Sequence, residues 1–135
     1  MLWISAASVG QAGGGALVAR LLACQALSAT SKLKVGTSVL IVFPRSPMNV
    51  ALASWDLQKM SGGRFELGMG TQIKQNIEDR YSSRWLPPAA GMREYLQSMR
   101  AIFHSFRTGE PLNYVGEHYR FTRLQPFFNP GPIDA

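Results

Sequence analysis

Two short stretches, VGTSVLIVF (35–43) and FELGMG (65–70), decide the fold of this chain. Residues 39–43 form a continuous β-branched and apolar run, which is typical of a strand buried on both faces of a parallel sheet. The second stretch predicts another short strand, and the segment between the two has the spacing of an amphipathic helix. Strand, helix and strand in this order predict a βαβ unit with parallel strands and a right-handed crossover. The fold class that follows is α/β.

The helix between the two strands has recognisable ends. Ser46 followed by Pro47 is typical of a helix start, because serine caps the first backbone amides and proline needs no amide partner in the first turn. Gly62 and Gly63 predict its end, since a left-handed C-cap is least costly for a residue without a Cβ atom. We therefore expect a helix over residues 47–61.

The rest of the chain is assigned from periodicity and from its glycine and proline residues. In chain order it predicts a helix (17–30), a loop or short irregular helix (71–84), a strongly amphipathic helix (89–108), a hairpin (112–121) and an extended tail without regular structure (125–132). Residues 1–16 show no helical or strand period. Two parallel strands cannot close a barrel and would leave unpaired edges, so the architecture points beyond the ends of the chain and predicts self-association.

Composition and charge restrict the class of protein. At 135 residues the chain forms one domain at most, and 46% hydrophobic residues supply enough apolar material for a core. The net charge is +6, but the charges are scattered, which favours an ordinary surface over a nucleic-acid partner. Residues 1–19 lack the basic start of a signal peptide and are interrupted by glycines, so we expect no membrane partner and a cytoplasmic location.

The residues that usually carry metal or nucleophilic chemistry are sparse. Cys24 is the only cysteine, which excludes an internal disulfide and a multi-cysteine zinc site. It lies in an apolar run, where a buried thiol is the default interpretation. His104 and His118 do not have metal-ligand spacing, and packing or solvent roles are favoured for both. We predict no metal site and assign no catalytic residue.

A ligand site is indicated at the end of the second strand. Gly68 and Gly70 stand at its carboxyl end, and the polar residues Thr71 and Gln72 follow. Ligands bind at the carboxyl ends of parallel strands, and backbone without Cβ atoms admits a flat ring or a phosphate group. A tight turn without a ligand explains the same glycines equally well.

Several motifs closely resemble those of the luciferase-like monooxygenase superfamily. They are Val-Gly-Thr-Ser-Val (35–39), Pro-Arg-Ser-Pro (44–47), Ser-Gly-Gly-Arg-Phe (61–65) and Leu-Gly-Met-Gly-Thr (67–71), with Arg-Glu-Tyr-Leu (93–96) and residues 114–119 continuing the match. The resemblance implies a partial (β/α)8 TIM barrel, about strands 3 and 4 with their flanking helices and a small hairpin insertion. It assigns residues 21–135 to this barrel domain and leaves residues 1–20 as an unassigned leader.

Within the superfamily, Gly-Thr-Gln (70–72) is most similar to the branch that uses the deazaflavin coenzyme F420, with the FMN-dependent monooxygenases second. The resemblance implies an oxidoreductase that transfers a hydride between the deazaflavin and a small organic substrate. The first two strands and the last four strands of a barrel have no counterpart, so we expect a truncated chain that is inactive alone. The alternative from a different class is a non-catalytic basic binding module.

The resemblance also implies where the cofactor would be held. In the superfamily a non-prolyl cis peptide in the third strand supports the ring system, and the matching bond is Ser38–Val39. The end of the fourth strand contacts the coenzyme, and a polar contact is found at the position matched by Asn76. The implied cofactor-binding residues are therefore Ser38, Val39, Gly70, Thr71, Gln72 and Asn76.

Two further points concern substrate and charge. Ile73 replaces an acidic catalytic residue of one sugar-phosphate dehydrogenase branch, which disfavours that substrate class. Lys74, Arg80 and Arg84 are candidates to meet the acidic tail of the coenzyme. Solvated loop charges are an equally good interpretation of these three residues.

Overall fold

The computed structural model describes residues 1–4 and 15–133, with side chains given from residue 20 onward in the second segment. Three longer helices and seven short strands account for most of the regular structure of these residues. In chain order the elements are β1 (Leu2–Ile4), α1 (Gly15–Ser28), β2 (Val35–Thr37), β3 (Leu40–Ile41), α2 (Pro47–Ser61), β4 (Phe65–Glu66), β5 (Met69–Gly70), a π-helix (Asn76–Arg80), α3 (Pro88–Thr108), β6 (Tyr114–Val115), β7 (Arg120–Phe121) and a 3-10 turn (Pro126–Phe128).

The predicted βαβ unit is present, with each of its two strands divided in two. β2 pairs in parallel with β4, and after a short break β3 pairs in parallel with β5. The backbone amide of Leu40 donates to the carbonyl of Gly68 at 2.8 Å, which resumes the ladder after the break. Helix α2 connects the two strands. Both strands therefore run side by side and end at the same edge of the sheet.

A third parallel strand, β1, was not expected from the sequence. It pairs with β2, placing Trp3 opposite Gly36. A Cβ atom at position 36 would lie 2.5 Å from a ring carbon of Trp3, so the indole covers the glycine. Leu2–Ile4 thus form a strand in a segment whose sequence shows no strand period. Three residues are too few to show a strand period, and only the pairing reveals the strand.

The larger hydrophobic cluster packs α2 and α3 against β3. Tyr95, Ile102 and Phe106 lie on one face of α3 and are 0% exposed. Trp55 of α2 meets Phe106 edge to face, with ring centroids 5.4 Å apart. The predicted amphipathic helix over residues 89–108 is thus confirmed, and its apolar stripe forms the main core.

A smaller cluster joins α1 to β2 and β4. Ala23 and Leu27 of α1 are buried together with Val35 and Phe65. The Arg64 guanidinium reinforces this junction by donating to the carbonyls of Leu27 at 2.9 Å and of Leu33 at 2.8 Å. Its Nε donates to the carbonyl of Ser61 at 2.8 Å, which ties in the end of α2. The Arg64 side chain thereby links the end of α1, the loop before β2 and the end of α2.

The predicted helix ends are also confirmed. The Ser46 hydroxyl accepts a hydrogen bond from the amide of Met48 at 3.2 Å, as an N-cap residue does. Gly62 caps the other end with a φ of 61°, a left-handed conformation that favours glycine. Proline 47 occupies the first turn of α2.

The remaining segments follow the predicted order with one correction. The polar stretch 71–84 contains the irregular π-helix, and the hairpin pairs Tyr114 with Phe121 in antiparallel register. The tail was expected to lack regular structure, but it forms a 3-10 turn at Pro126–Phe128. Proline in the first turn position favours such a helical start. None of the helices among residues 15–133 has the length and apolarity needed to cross a membrane.

Candidate functional site

The break between β2 and β3 forms the first part of the site. The Ser38–Val39 peptide bond is cis, as the family resemblance implied. Both residues are exposed, and the Val39 side chain retains 44% of its accessible surface. The break therefore presents an apolar side chain and a hydroxyl to solvent at the carboxyl end of a parallel strand.

Gly68 and Gly70 bring the neighbouring strand close to this break. A Cβ atom at position 70 would lie 2.7 Å from Cγ2 of Val39, and one at position 68 would lie 2.0 Å from the carbonyl oxygen of Thr37. The Thr37 hydroxyl fills the gap in the ladder, because it accepts from the Gly68 amide at 3.0 Å and donates to the Gly68 carbonyl at 2.9 Å. Close strand packing thus requires both glycines before any ligand is considered.

The segment that follows β5 supplies the polar part of the site. Gln72 has a φ of 67°, a left-handed conformation that is uncommon for a residue other than glycine. Its side-chain oxygen accepts from the amide of Ile73 at 3.0 Å, which holds the turn. Thr71 and Gln72 are both half-buried and lie directly after Gly70, the residue beside Val39. Residues other than glycine adopt this conformation at turns and at functional sites, and Ser82, with a φ of 48°, does so outside this segment.

The structure brings five of the six predicted cofactor residues into one short surface. Ser38 and Val39 flank the cis bond, Gly70 contacts Val39, and Thr71 and Gln72 continue the chain from there. The sixth predicted residue, Asn76, is half-buried and stands four positions further along, at the first residue of the π-helix. We call the first five residues the strand-end platform.

The three basic residues predicted to meet the acidic tail of the coenzyme lie in different environments. Lys74 forms a surface ion pair with Glu78, with 3.9 Å between Nζ and Oε1. Such exposed pairs contribute little to stability, so this lysine remains available to a ligand. Arg80 is exposed on the π-helix, and Arg84 lies beside a separate cavity.

Sequence reasoning missed the contacts of the half-buried Arg45 in the loop after β3. The Arg45 guanidinium donates to the carbonyl of Ile41, and the hydroxyl of Tyr95 donates to the carbonyl of Arg45 at 3.2 Å. Burial lowers the pKa of Arg45, and the positive charge of Arg20 lowers it further. The signal was present in the Pro-Arg-Ser-Pro motif (44–47), but a single arginine there does not reveal which groups it meets.

Tyr95 and Tyr119 make the stability of the fold sensitive to alkaline pH. Burial raises the pKa of Tyr95 well above the ordinary value of 10.0, and burial followed by the charge of Glu94 raises that of Tyr119 to about 12. The folded chain therefore keeps these protons at pH values where the unfolded chain has released them. Stability is fully present below pH 10 and is lost as pH rises toward the folded pKa values.

Above pH 10 we expect the free energy of unfolding to fall by up to about 1.4 kcal/mol per pH unit through Tyr95, and by less through the half-buried Tyr119, where solvent screens the effect. Urea unfolding measured between pH 8 and pH 11 by far-ultraviolet circular dichroism tests this. In Tyr95→Phe the free energy of unfolding should fall less steeply with pH, because the contribution of Tyr95 is removed. A slope unchanged by this substitution would show that Tyr95 does not hold its proton more tightly in the folded chain.

Comparison with known proteins places these features in context. The family model described as luciferase-like monooxygenase matches residues 2–135. A protein of Mycobacterium tuberculosis without an assigned function is 45% identical over 103 residues, which are 76% of this chain and 30% of that protein. A second protein of the same organism, named as a coenzyme F420-dependent oxidoreductase, is 36% identical over 93 residues, which are 69% of this chain and 26% of that protein.

A more distant relative and two solved structures agree with this. The 5,10-methylenetetrahydromethanopterin reductase of Archaeoglobus fulgidus is 32% identical over 77% of this chain and 30% of its own length. The monooxygenase RslO1 of Streptomyces bottropensis superposes with a TM-score of 0.69 at 16% identity, over 84% of this chain and 32% of its own. The oxygenating component of 3,6-diketocamphane monooxygenase of Pseudomonas putida, solved with FMN, gives 0.65 at 19% identity, over 78% and 30%.

These matches establish the fold class. The described helices and strands form part of the (β/α)8 barrel found in the superposed monooxygenases. The chain spans about 30% of the length of the relatives that it matches.

Proposed function

The chain belongs to the luciferase-like monooxygenase family, and from that premise we propose that its strand-end platform contributes to a pocket for the deazaflavin coenzyme F420. The relative named as F420-dependent supports this choice, because its similarity extends over 69% of the chain. The observation that carries the proposal is the contact between the exposed Val39, at the cis bond, and Gly70. Together they offer a flat apolar surface bordered by polar groups at the carboxyl ends of two parallel strands.

Each part of the platform has a role in this proposal. Val39 would pack against one face of a planar ring, because its side chain is 44% exposed, and Gly70 leaves room for that side chain. The Thr71 hydroxyl and the Gln72 amide would bind polar groups at the ring edge, held in position by the left-handed backbone. Ser38 and Asn76 would add further hydrogen bonds. The residues present thus fit a ring with one apolar face and a polar edge.

The reaction class follows from the cofactor and not from a catalytic side chain. A bound deazaflavin supplies hydride transfer to or from an organic substrate, while the protein supplies orientation and exclusion of water. Among the described residues we assign none to catalysis. Because the chain spans about 30% of the length of its relatives, we propose that it holds the ring without completing the reaction.

FMN is the second candidate ligand, since its tricyclic ring would rest on the same platform.

The exposed apolar side chains of β1 and of the 3-10 turn support the further proposal that the chain associates with itself or with other polypeptide. Trp3 is 53% exposed and Phe127 is 90% exposed. The cytoplasmic location stays a prediction from the sequence.

The proposal is tested by titrating the folded chain with coenzyme F420 and following the fluorescence of the deazaflavin. We expect saturable binding that weakens about tenfold in the double variant Thr71→Ala/Gln72→Ala, because two hydrogen bonds of about 0.5–1.5 kcal/mol each are removed. The matched control is Thr122→Ala/Gln125→Ala, which changes the same residue types at exposed positions outside the platform.

The control variant should bind F420 within about twofold of the unaltered chain. If both double variants weakened F420 binding equally, Thr71 and Gln72 would not be the residues that contact F420. Steeply salt-dependent binding of nucleic acid, with no response to either ring cofactor, would instead favour the basic binding module.

A further inference from the structure

A cavity lined by basic groups shares no residue with the strand-end platform. It has a volume of about 280 Å³, is open to solvent, and is lined by the loop after β3, the segment before α3 and the turn of the hairpin. Arg45, Arg84 and His118 contribute to its wall, and neither aspartate nor glutamate lines it within the described part of the chain. A cavity with this lining favours negative charge.

His118 adds an imidazole ring to the wall of the cavity. Its ring Nδ1 is buried and has no hydrogen-bond partner among the described residues. A buried polar atom left in this state costs about 1–3 kcal/mol. The ring as a whole is half-buried and forms part of the cavity wall.

The beginning of α2 adds a donor and a positive dipole end. Ser46 lines the cavity, and its hydroxyl oxygen already accepts from the amide of Met48 at 3.2 Å. Its own proton therefore remains available to an anion. The positive end of a 15-residue helix reinforces the attraction at the same place.

The nearest buried carboxylate does not cancel this charge. Glu94 is 8% exposed, and one of its oxygens accepts from the backbone amides of His118 and Tyr119, both at 2.8 Å. Two amide donors already stabilise its negative charge. Glu94 holds the hairpin turn and is not part of the cavity wall.

We propose that this cavity binds a phosphate-class oxyanion, held by Arg84, His118 and the hydroxyl of Ser46. Arginine forms paired hydrogen bonds with phosphate oxygens, and the imidazole and hydroxyl protons complete a set of convergent donors. The proposal does not rest on F420 binding, because the cavity is lined by other residues than the platform. The phosphate can be free in solution or part of a larger organic ligand.

The two histidines of the chain make the experiment selective. In protein labelled with 15N-histidine, each ring gives its own nitrogen resonances, and His104→Gln assigns the spectrum. His104 is an internal control, because it is exposed and pairs with Glu110 at 2.8 Å, outside the cavity. Inorganic phosphate is titrated at constant pH against sodium chloride of equal ionic strength.

We expect the His118 ring resonances to shift to saturation with phosphate, while those of His104 and all resonances in chloride stay in place. Arg84→Ala should weaken phosphate binding about tenfold, because it removes a charge-assisted pair of hydrogen bonds. Arg100→Ala removes the same charge from an exposed position on α3 and should change the affinity less than about twofold. Parallel, unsaturated shifts of both histidines, or equal effects of the two arginine variants, would overturn the proposal.

Repeating the titration with F420 or FMN present separates the two sources of phosphate. Displacement of inorganic phosphate from His118 by a cofactor would assign the cavity to the phosphate group of that cofactor. An unchanged phosphate affinity would assign it to a separate ligand. Either result supports an oxyanion cavity.

Discussion

Alanine in place of Gly68 is expected to lower the free energy of unfolding by about 3 kcal/mol, the upper part of the range for overpacked sites. The added Cβ atom would lie 2.0 Å from the carbonyl oxygen of Thr37. This oxygen belongs to the backbone of the neighbouring strand and cannot rotate away. The strands must separate, and the paired hydrogen bonds between Gly68 and the Thr37 hydroxyl would then be lost as well.

Gly70→Ala is the matched control for this prediction. Its Cβ atom would meet Cγ2 of Val39 at 2.7 Å, but the Val39 side chain is 44% exposed and can turn toward solvent. We expect a loss of about 1 kcal/mol. Urea unfolding of both variants gives the comparison, and a loss for Gly68→Ala no larger than that for Gly70→Ala would contradict the packing argument.

The second large effect is expected at Glu94, whose replacement by alanine should cost about 3 kcal/mol. The substitution leaves the backbone amides of His118 and Tyr119 without their acceptor, and an unpaired buried donor costs about 1–3 kcal/mol. The turn is packed so closely on this carboxylate that a Cβ atom at Gly116 would lie 2.0 Å from Oε1. Loss of the side chain therefore also leaves a void beneath the hairpin.

Two further variants separate the hydrogen bonds from the charge. Glu94→Gln keeps an amide oxygen where Oε1 now lies, so it should retain more than half of the stability that alanine removes. Glu117→Ala removes a carboxylate from an exposed position of the same turn and should change stability by less than about 0.5 kcal/mol. Hydrogen exchange at the amides of residues 118 and 119 should accelerate in Glu94→Ala alone. Unchanged exchange there would show that the carboxylate does not hold the turn.

Strong periodic signals allowed most of the fold to be predicted. The 21-residue helix α3 and the capped helix α2 follow from spacing and cap chemistry that lie within one segment of sequence. The strand β1 could not be predicted in this way, because its three residues are recognisable only by their pairing with β2. The cis bond at Ser38–Val39, which lies between β2 and β3, is likewise not encoded by propensity. It was expected only through the family resemblance.

The strand-end platform could be predicted from the sequence, whereas the basic cavity could not, and the difference has a physical reason. The platform residues lie in two short motifs on adjacent strands, so parallel pairing was enough to bring them together. Sequence alone left open whether Gly68 and Gly70 serve a ligand or a turn, and the structure gives both a packing role against β2 and β3. Arg64 of the Ser-Gly-Gly-Arg-Phe motif likewise has a structural role, in binding three carbonyl groups. The basic cavity was missed because its wall comes from three separate segments.

The measurement that tests the central claim most directly is a competition titration of the unaltered, folded chain with F420 and FMN, followed by deazaflavin fluorescence. We predict saturable binding of F420 that FMN, added at equal concentration, does not displace. Displacement of F420 by FMN would assign the platform to FMN, the cofactor of the flavin branch of the family. Absence of binding by both ring cofactors to folded protein would contradict the claim that the surface around Ser38–Val39 and Gly70 holds a planar cofactor.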